Sequence, residues 1–147
     1  MTDYPHCHSG ACDCGAVRFS FYCSQEVAAL VARECQCEYC QPRRASYVSD
    51  AHGMLRVEVK DTRYLYSHCF GTRTADFVHC ARCNALVFVK SLIDGREYAL
   101  VVANRLTDFP ALAPARAVDF DTESLAVRLQ RRAESWIPVL EVVAVAA

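Results

Sequence analysis

Apolar and polar residues alternate along much of this chain, and the alternation is that of strands. Val17 to Tyr22 and Leu55 to Lys60 both switch character at every position, as half-buried strands do. Further strands are expected near 64–70, 75–80, 86–92 and 97–104. Asp94-Gly95 separates two of them, and both residues tolerate positive φ, so a tight hairpin should pair the flanking segments. The period changes once. Near 122–136, Leu125, Leu129, Ala133 and Trp136 recur at helical spacing, Asp121 or Thr122 can cap, and Glu123 sits in the first turn. Arg128, Arg131 and Arg132 fall away from that apolar stripe, the last two near the helix's negative end, and read as a solvated face. Pro138 ends the helix, and Val139 to Val145 returns as a final strand. The fold class expected is mainly β with a short C-terminal helix.

At 147 residues and 53% hydrophobic content the chain reads as a single domain, 1–147, with a core of its own. The nearest thing to a connector is the loose Ala111 to Ala117 stretch. The formal net charge of -1 argues against nucleic acid as a partner, because phosphate binding needs concentrated Lys and Arg. No apolar run approaches the roughly 20 residues needed to span a bilayer. The first residues, Met1 to Cys7, lack the basic and apolar regions of a secretory signal, so a cytoplasmic location is expected.

Cysteine usage changes the picture. Of 10 cysteines, seven fall into Cys12-x-Cys14, Cys35-x-Cys37-x-x-Cys40 and Cys80-x-x-Cys83. In a reducing compartment such clusters point to metal rather than to disulfides. Thiolates must converge to about 2.3 Å from zinc, which short-spaced pairs achieve. A Cys-x-Cys on an extended segment would aim both sulfurs to one side. The seven divide as four plus three, since a structural zinc is closed by four protein ligands and a working zinc keeps one position open. Cys12, Cys14, Cys80 and Cys83 form the closed set, and Cys35, Cys37 and Cys40 the open one. Two zinc ions per chain are expected.

Gly10-Ala11-Cys12-Asp13-Cys14-Gly15-Ala16-Val17-Arg18-Phe19, Cys35-Gln36-Cys37-Glu38-Tyr39-Cys40, Phe70-Gly71-Thr72 and Cys80-Ala81-Arg82-Cys83 together resemble the glutathione-dependent formaldehyde-activating enzyme family, which includes centromere protein V. The resemblance covers residues 10–110 and leaves 111–147 as an extension. It implies a β-tent fold, a structural zinc on the first and last pairs, a labile catalytic zinc on the triplet, and glutathione and formaldehyde as partners. Gln36 stands where the family often has His. Asn84 stands where glycine usually follows the knuckle, and Asn is the residue that best replaces it in a left-handed conformation.

A zinc on three thiolates is a soft Lewis acid, suited to taking a thiol and holding it deprotonated. That predicts a carbon-sulfur lyase type of chemistry on thiol-aldehyde adducts. A zinc-stabilised binding module and a thiol-based redox or metal sensor are the alternatives. Arg73, Arg43 and Arg44 are candidates for contacting the substrate, though surface pairing or solvation suits them equally or better, and Tyr39 either lines the site or packs. Cys7, Cys23 and Cys69 read as small hydrophobes, and His52, His68 and His79 as structural. His6-Cys7-His8 could take adventitious metal from a loose terminus. A His or Cys69 completing the triplet would close the site.

Overall fold

The computed structural model describes residues 4–26, 29–37, 39–69, 73–112, 115–120 and 122–145. Its strands are β1 (His6–Ala11), β2 (Val17–Cys23), β3 (Arg33–Cys35), β4 (Ser46–Val48), β5 (Met54–Val59), β6 (Leu65–His68), β7 (Asp76–Cys80), β8 (Leu86–Ile93), β9 (Arg96–Val102), β10 (Arg116–Val118) and β11 (Val139–Ala144). The helix α1 is Leu125–Ser135. The protein is mainly β, as the alternation predicts.

A four-stranded sheet runs β1-β2-β5-β11, and a seven-stranded sheet runs β10-β3-β4-β9-β8-β7-β6. The two meet over the main core. Val17, Phe19 and Phe21 of β2 and Leu55, Val57 and Val59 of β5 pack against Val78, Val87, Phe88, Ala99 and Val101 of the larger sheet. The other face of that sheet is also buried. There Tyr47, Leu86, Val89 and Val102 join Cys40 and Trp136 in a second cluster. The larger sheet is therefore a middle layer, with its sister sheet on one side and the cysteine triplet and α1 on the other.

Asp94 (φ 51°) and Gly95 (φ 80°) form the hairpin turn, both with the positive φ a two-residue loop demands, and β8 pairs with β9 out to Ile93 opposite Arg96. Three short strands without alternation of their own, β3, β4 and β10, take shape from their neighbours: β10 lies parallel to β3, and β4 bridges β3 to β9. The segment His6-Cys7-His8 is likewise strand rather than loose terminus. It pairs with β2, and buried His8 bonds through Nε2 to the carbonyl of Gln25 at 2.8 Å.

The helix departs from expectation at both its start and its face. Ser124 caps it, accepting from the Val127 N–H, and Asp121 lies outside the described residues. Leu125, expected to begin the buried stripe, is 48% exposed, whereas Arg132 is 8% exposed. The arginine row faces inward because what α1 covers is polar as well as apolar. Arg132 donates to Thr74 Oγ1 (2.9 Å) and Ser91 Oγ (3.2 Å) and stacks on Trp136, so its guanidinium is accommodated under the helix. After Pro138, β11 runs parallel to β5, and Ile137 bridges to Ala99, which stitches the segment after the helix to both sheets.

Candidate functional site

Cys12 and Cys14 lie in the turn just past β1, not on the strand. The turn brings the sulfurs together instead of strand alternation: Gly15 adopts φ 77°, its N–H reaches the Cys12 carbonyl, and the Val17 N–H points at Cys12 Sγ at 3.4 Å. Cys80 ends β7, just after a bulge between Val78 and His79 that re-aims the strand. A turn carries the chain to Cys83, closed by Asn84 at φ 66° with its N–H on the Cys80 carbonyl at 2.8 Å. Asn84 thus does what a glycine would do there, as its tolerance of the left-handed region predicts.

These four residues bring their sulfurs within 4.8 Å of one another. Cys12 to Cys14 and Cys14 to Cys80 are both 3.6 Å apart. Sulfurs on a tetrahedron about 2.3 Å from a common centre are about 3.8 Å apart, so the set fits a zinc ion. The environment is divided between the two knuckle thiols. Burial and hydrogen bonding with Cys14 and Cys12 push Cys80 up to about 12. For Cys83, burial also raises the value, but the N–H groups of Ala85 and Cys14 and the thiols of Cys80 and Cys12 outweigh it and bring it down to about 6.

The triplet forms the second group. Cys35 ends β3, and Cys37 and Cys40 follow in the bend and turn beyond it, with the Cys40 N–H directed at Cys37 Sγ at 3.4 Å. The three ligand atoms again lie within 4.8 Å of one another, and no fourth His, Cys, Asp or Glu among the described residues joins them. Three converging thiols fit a zinc ion with a vacancy in its tetrahedron. Cys40 is 1% exposed, and its sulfur lies 2.9 Å from the Tyr47 hydroxyl. Its thiol is pushed up by hydrogen bonding with Cys35 and by burial, that of Cys37 by burial, and the Tyr47 phenol by burial and the neighbouring Cys40.

The two groups differ in what they face. Cys35, Cys37 and Cys40 line a cavity of about 440 Å³ together with Tyr47, Phe77, Val89, Trp136, Arg33, Asp119 and three arginines of α1. None of the other four cysteines borders it. Arg128, Arg131 and Arg132, read from sequence as a solvated face, are thus cavity residues. Glu123 receives two hydrogen bonds of 2.9 Å from Arg131 and a longer contact of 3.8 Å from Arg128 Nε. Arg131 holds that carboxyl below its ordinary value, while burial and the neighbouring Arg131 and Arg128 push Arg132 down to about 10.

Other expected residues lie elsewhere. Arg43 donates to the Tyr39 carbonyl at 2.7 Å and stacks on the Tyr39 ring, and neither Arg43, Arg44 nor Arg73 lines the cavity. Tyr39 packs: its ring stacks on His68 and meets Phe77 edge-on, and its hydroxyl bonds to His79 Nε2. Buried His79 carries its other nitrogen 3.0 Å from the Asn84 carbonyl, which makes Nδ1 the donor and leaves Nε2 to accept. Cys23 is buried with its thiol on the Gln25 carbonyl, and Cys7 is exposed. None of the ten cysteines forms a disulfide. Phe70-Gly71-Thr72 lies outside the described residues. Tyr47 went unnoticed in the sequence, where nothing local links it to Cys40.

The fold and the two thiol groups define a mainly β protein with two sites suited to metal ions, one closed and one opening on a cavity. The chain belongs to the glutathione-dependent formaldehyde-activating enzyme family, whose profile matches residues 7–120. The match is wider than the cysteine motifs alone span, and it stops short of α1 and β11. A crystal structure of a Rhodobacter sphaeroides protein, solved as a Northeast Structural Genomics target, is similar at 27% identity with a TM-score of 0.56, over 75% of this chain and 99% of that one. Among the described residues no helix is long and apolar enough to cross a membrane.

Proposed function

We propose that the chain is a zinc-dependent enzyme of the carbon-sulfur lyase type, which forms or cleaves the adduct of a thiol such as glutathione with formaldehyde or a related aldehyde. The observation that carries this reading is the contrast between the two thiol groups: the triplet borders a cavity of about 440 Å³, within the range that holds a small molecule, and the quartet does not. Cys12, Cys14, Cys80 and Cys83 hold a structural zinc in this reading, and Cys35, Cys37 and Cys40 a labile catalytic one. When bound at the triplet, zinc supplies the Lewis acidity that keeps an incoming thiol deprotonated.

The chain's own residues prepare the site. The Tyr47 hydroxyl lies 2.9 Å from Cys40 Sγ, and with Cys40 held as a thiolate it would be the donor, fixing that ligand's position and drawing off part of its charge. Val31, Ala75, Phe77, Val89, Leu100 and Trp136 give the cavity apolar walls that limit water around the reacting carbonyl. In the forming direction the sulfur bonds to the aldehyde carbon, the carbonyl π pair moves to oxygen, and the proton the thiol gave up ends on that oxygen. Cleavage is the reverse. Ten cysteines outside disulfides suit a reducing compartment such as the cytoplasm.

The test must separate catalysis from the spontaneous reaction. Exchange between free and glutathione-bound formaldehyde, followed by isotope-exchange NMR, should be faster with zinc-loaded protein than in buffer and should fall to the buffer rate with Cys37→Ser. Native mass during chelator titration should show two zinc ions lost in steps. An exchange rate equal to that of buffer, with both zincs in place, would overturn the enzyme reading in favour of a binding module.

A further inference from the structure

The cavity beside the triplet is unusually cationic for one with apolar walls. Four guanidiniums, of Arg33, Arg128, Arg131 and Arg132, border it together with the carboxylate of Asp119. Glu123 adds a second carboxylate, engaged by Arg131 and Arg128. Positive charge is therefore in excess among the described residues. A dication on three thiolates would carry one net negative charge, too little to balance that excess.

The arginines are also incompletely satisfied. Among the described residues, the buried side-chain nitrogens and oxygens without a hydrogen-bond partner are two, Arg128 Nε and Arg132 Nε, and both belong to this cluster. Arg132 is 8% exposed. A buried guanidinium donor without an acceptor is costly to maintain, and such groups recur where a ligand completes them. Burial and its two arginine neighbours already depress the Arg132 pKa to about 10, the direction expected of cations crowded together without enough counter-charge.

We propose that α1 makes this cavity selective for acidic thiols: Arg128, Arg131 and Arg132 receive a carboxylate of the same molecule whose sulfur lies at Cys35, Cys37 and Cys40. The inference rests on the thiol-binding reading of the triplet and names the substrate class for it. The planar fork of a guanidinium matches a carboxylate in a two-point contact, and the surrounding apolar wall strengthens the pairing. Since α1 lies beyond residues 7–120, this recognition element belongs to the part of the chain outside the family match. The sulfur is held by one part of the chain and the acid by another.

Calorimetric titration of the zinc-loaded full chain with three probes tests this. Glutathione offers thiol and carboxylates, its diethyl ester the thiol alone, and S-methylglutathione the carboxylates alone. Glutathione should bind about tenfold or more tightly than the diester, as expected for one or two charge-assisted hydrogen bonds. Arg128→Gln with Arg131→Gln should erase that advantage and leave diester binding and zinc content unchanged; the melting temperature should fall modestly, as in Glu123→Gln, because these two arginines are the partners of Glu123. Arg132 is retained because its bonds to Thr74 and Ser91 seat the helix. Equal binding of glutathione and diester to the parent protein overturns the acid-selective site while leaving the thiol reading intact, and it needs no variant. S-methylglutathione bound as well as glutathione, in an arginine-dependent way, sinks the thiol reading and leaves a carboxylate site. No binding by either carboxylate-bearing peptide overturns both.

Discussion

Asn84 shows how much one backbone angle decides. At φ 66° it turns the chain between Cys83 and β8, and its side-chain oxygen accepts from the Tyr66 hydroxyl. Asn84→Gly and Asn84→Ala both lose that bond, so the difference between them isolates the left-handed conformation. The alanine variant should be less stable than the glycine variant by about 1 kcal/mol in urea unfolding, and equal stabilities would show that the angle carries no cost. The knuckle thiols offer a second test. In metal-free protein at pH 7, Cys83, brought down to about 6, should be alkylated well before Cys40, which is pushed up. Its alkylation should slow as the pH falls through about 6, which peptide mapping after timed iodoacetamide treatment will read. At this scale the sequence was informative where chemistry is local. Cys12, Cys14, Cys80 and Cys83, and Cys35, Cys37 and Cys40, are legible from spacing because each short motif presets its own convergence. Tyr47 is not, because strand pairing and the turn after Cys40 bring its hydroxyl to that sulfur.

Among the elements, α1 is where pattern reading failed most instructively. Its existence and its end before Pro138 follow from the sequence, but its inward face only in part: Trp136 of the expected stripe is buried, while Leu125 is exposed and Arg132 is buried instead. Periodicity assumes that the buried side of a helix is the apolar one, and here the row Arg128, Arg132 and Trp136 is turned towards a cavity that accommodates guanidiniums. Glu123 anchors this arrangement, and its titration gives a pH signature. Arg131 holds the carboxyl below its ordinary 4.5, so its contribution is complete above that value and is lost as the pH falls further. Fluorescence of Trp136, the single tryptophan, should change below pH 4.5 in the parent. Glu123→Gln should be less stable at neutral pH and should flatten that transition; an unchanged acid profile would mean that other carboxylates govern it. The strands β2, β5, β8 and β9 were legible because they alternate or flank a good turn. The three-residue strands β3, β4 and β10 carry too little pattern of their own and exist through their partners.

At the scale of the whole molecule, the closed cysteine group joins the β1–β2 turn of one sheet to the end of β7 in the other. Cys14 and Cys80 are 66 positions apart, so a metal held there closes a long loop, and its binding energy is largely folding energy. The triplet closes no such loop. Cys14→Ser should therefore lower the melting temperature markedly or yield insoluble protein, while Cys37→Ser should stay folded and lose one metal. Thermal unfolding of the two variants beside the parent decides the matter, and equal destabilisation would show that the two groups do not divide into structural and working sites.

The order of the cavity's walls along the chain also has a consequence in time. A chain emerging from the ribosome presents Cys35, Cys37 and Cys40 first, the strands that back them next, and the arginine-bearing helix only afterwards. While the helix is still unmade, a dication meets the thiols with Arg33 nearby but without the three guanidiniums that α1 brings to the cavity. In the finished fold those same guanidiniums border the approach and repel an arriving cation, the more so at low ionic strength. Metallation during synthesis and metallation of the folded apoprotein are thus different kinetic problems, and the second should be the slower one.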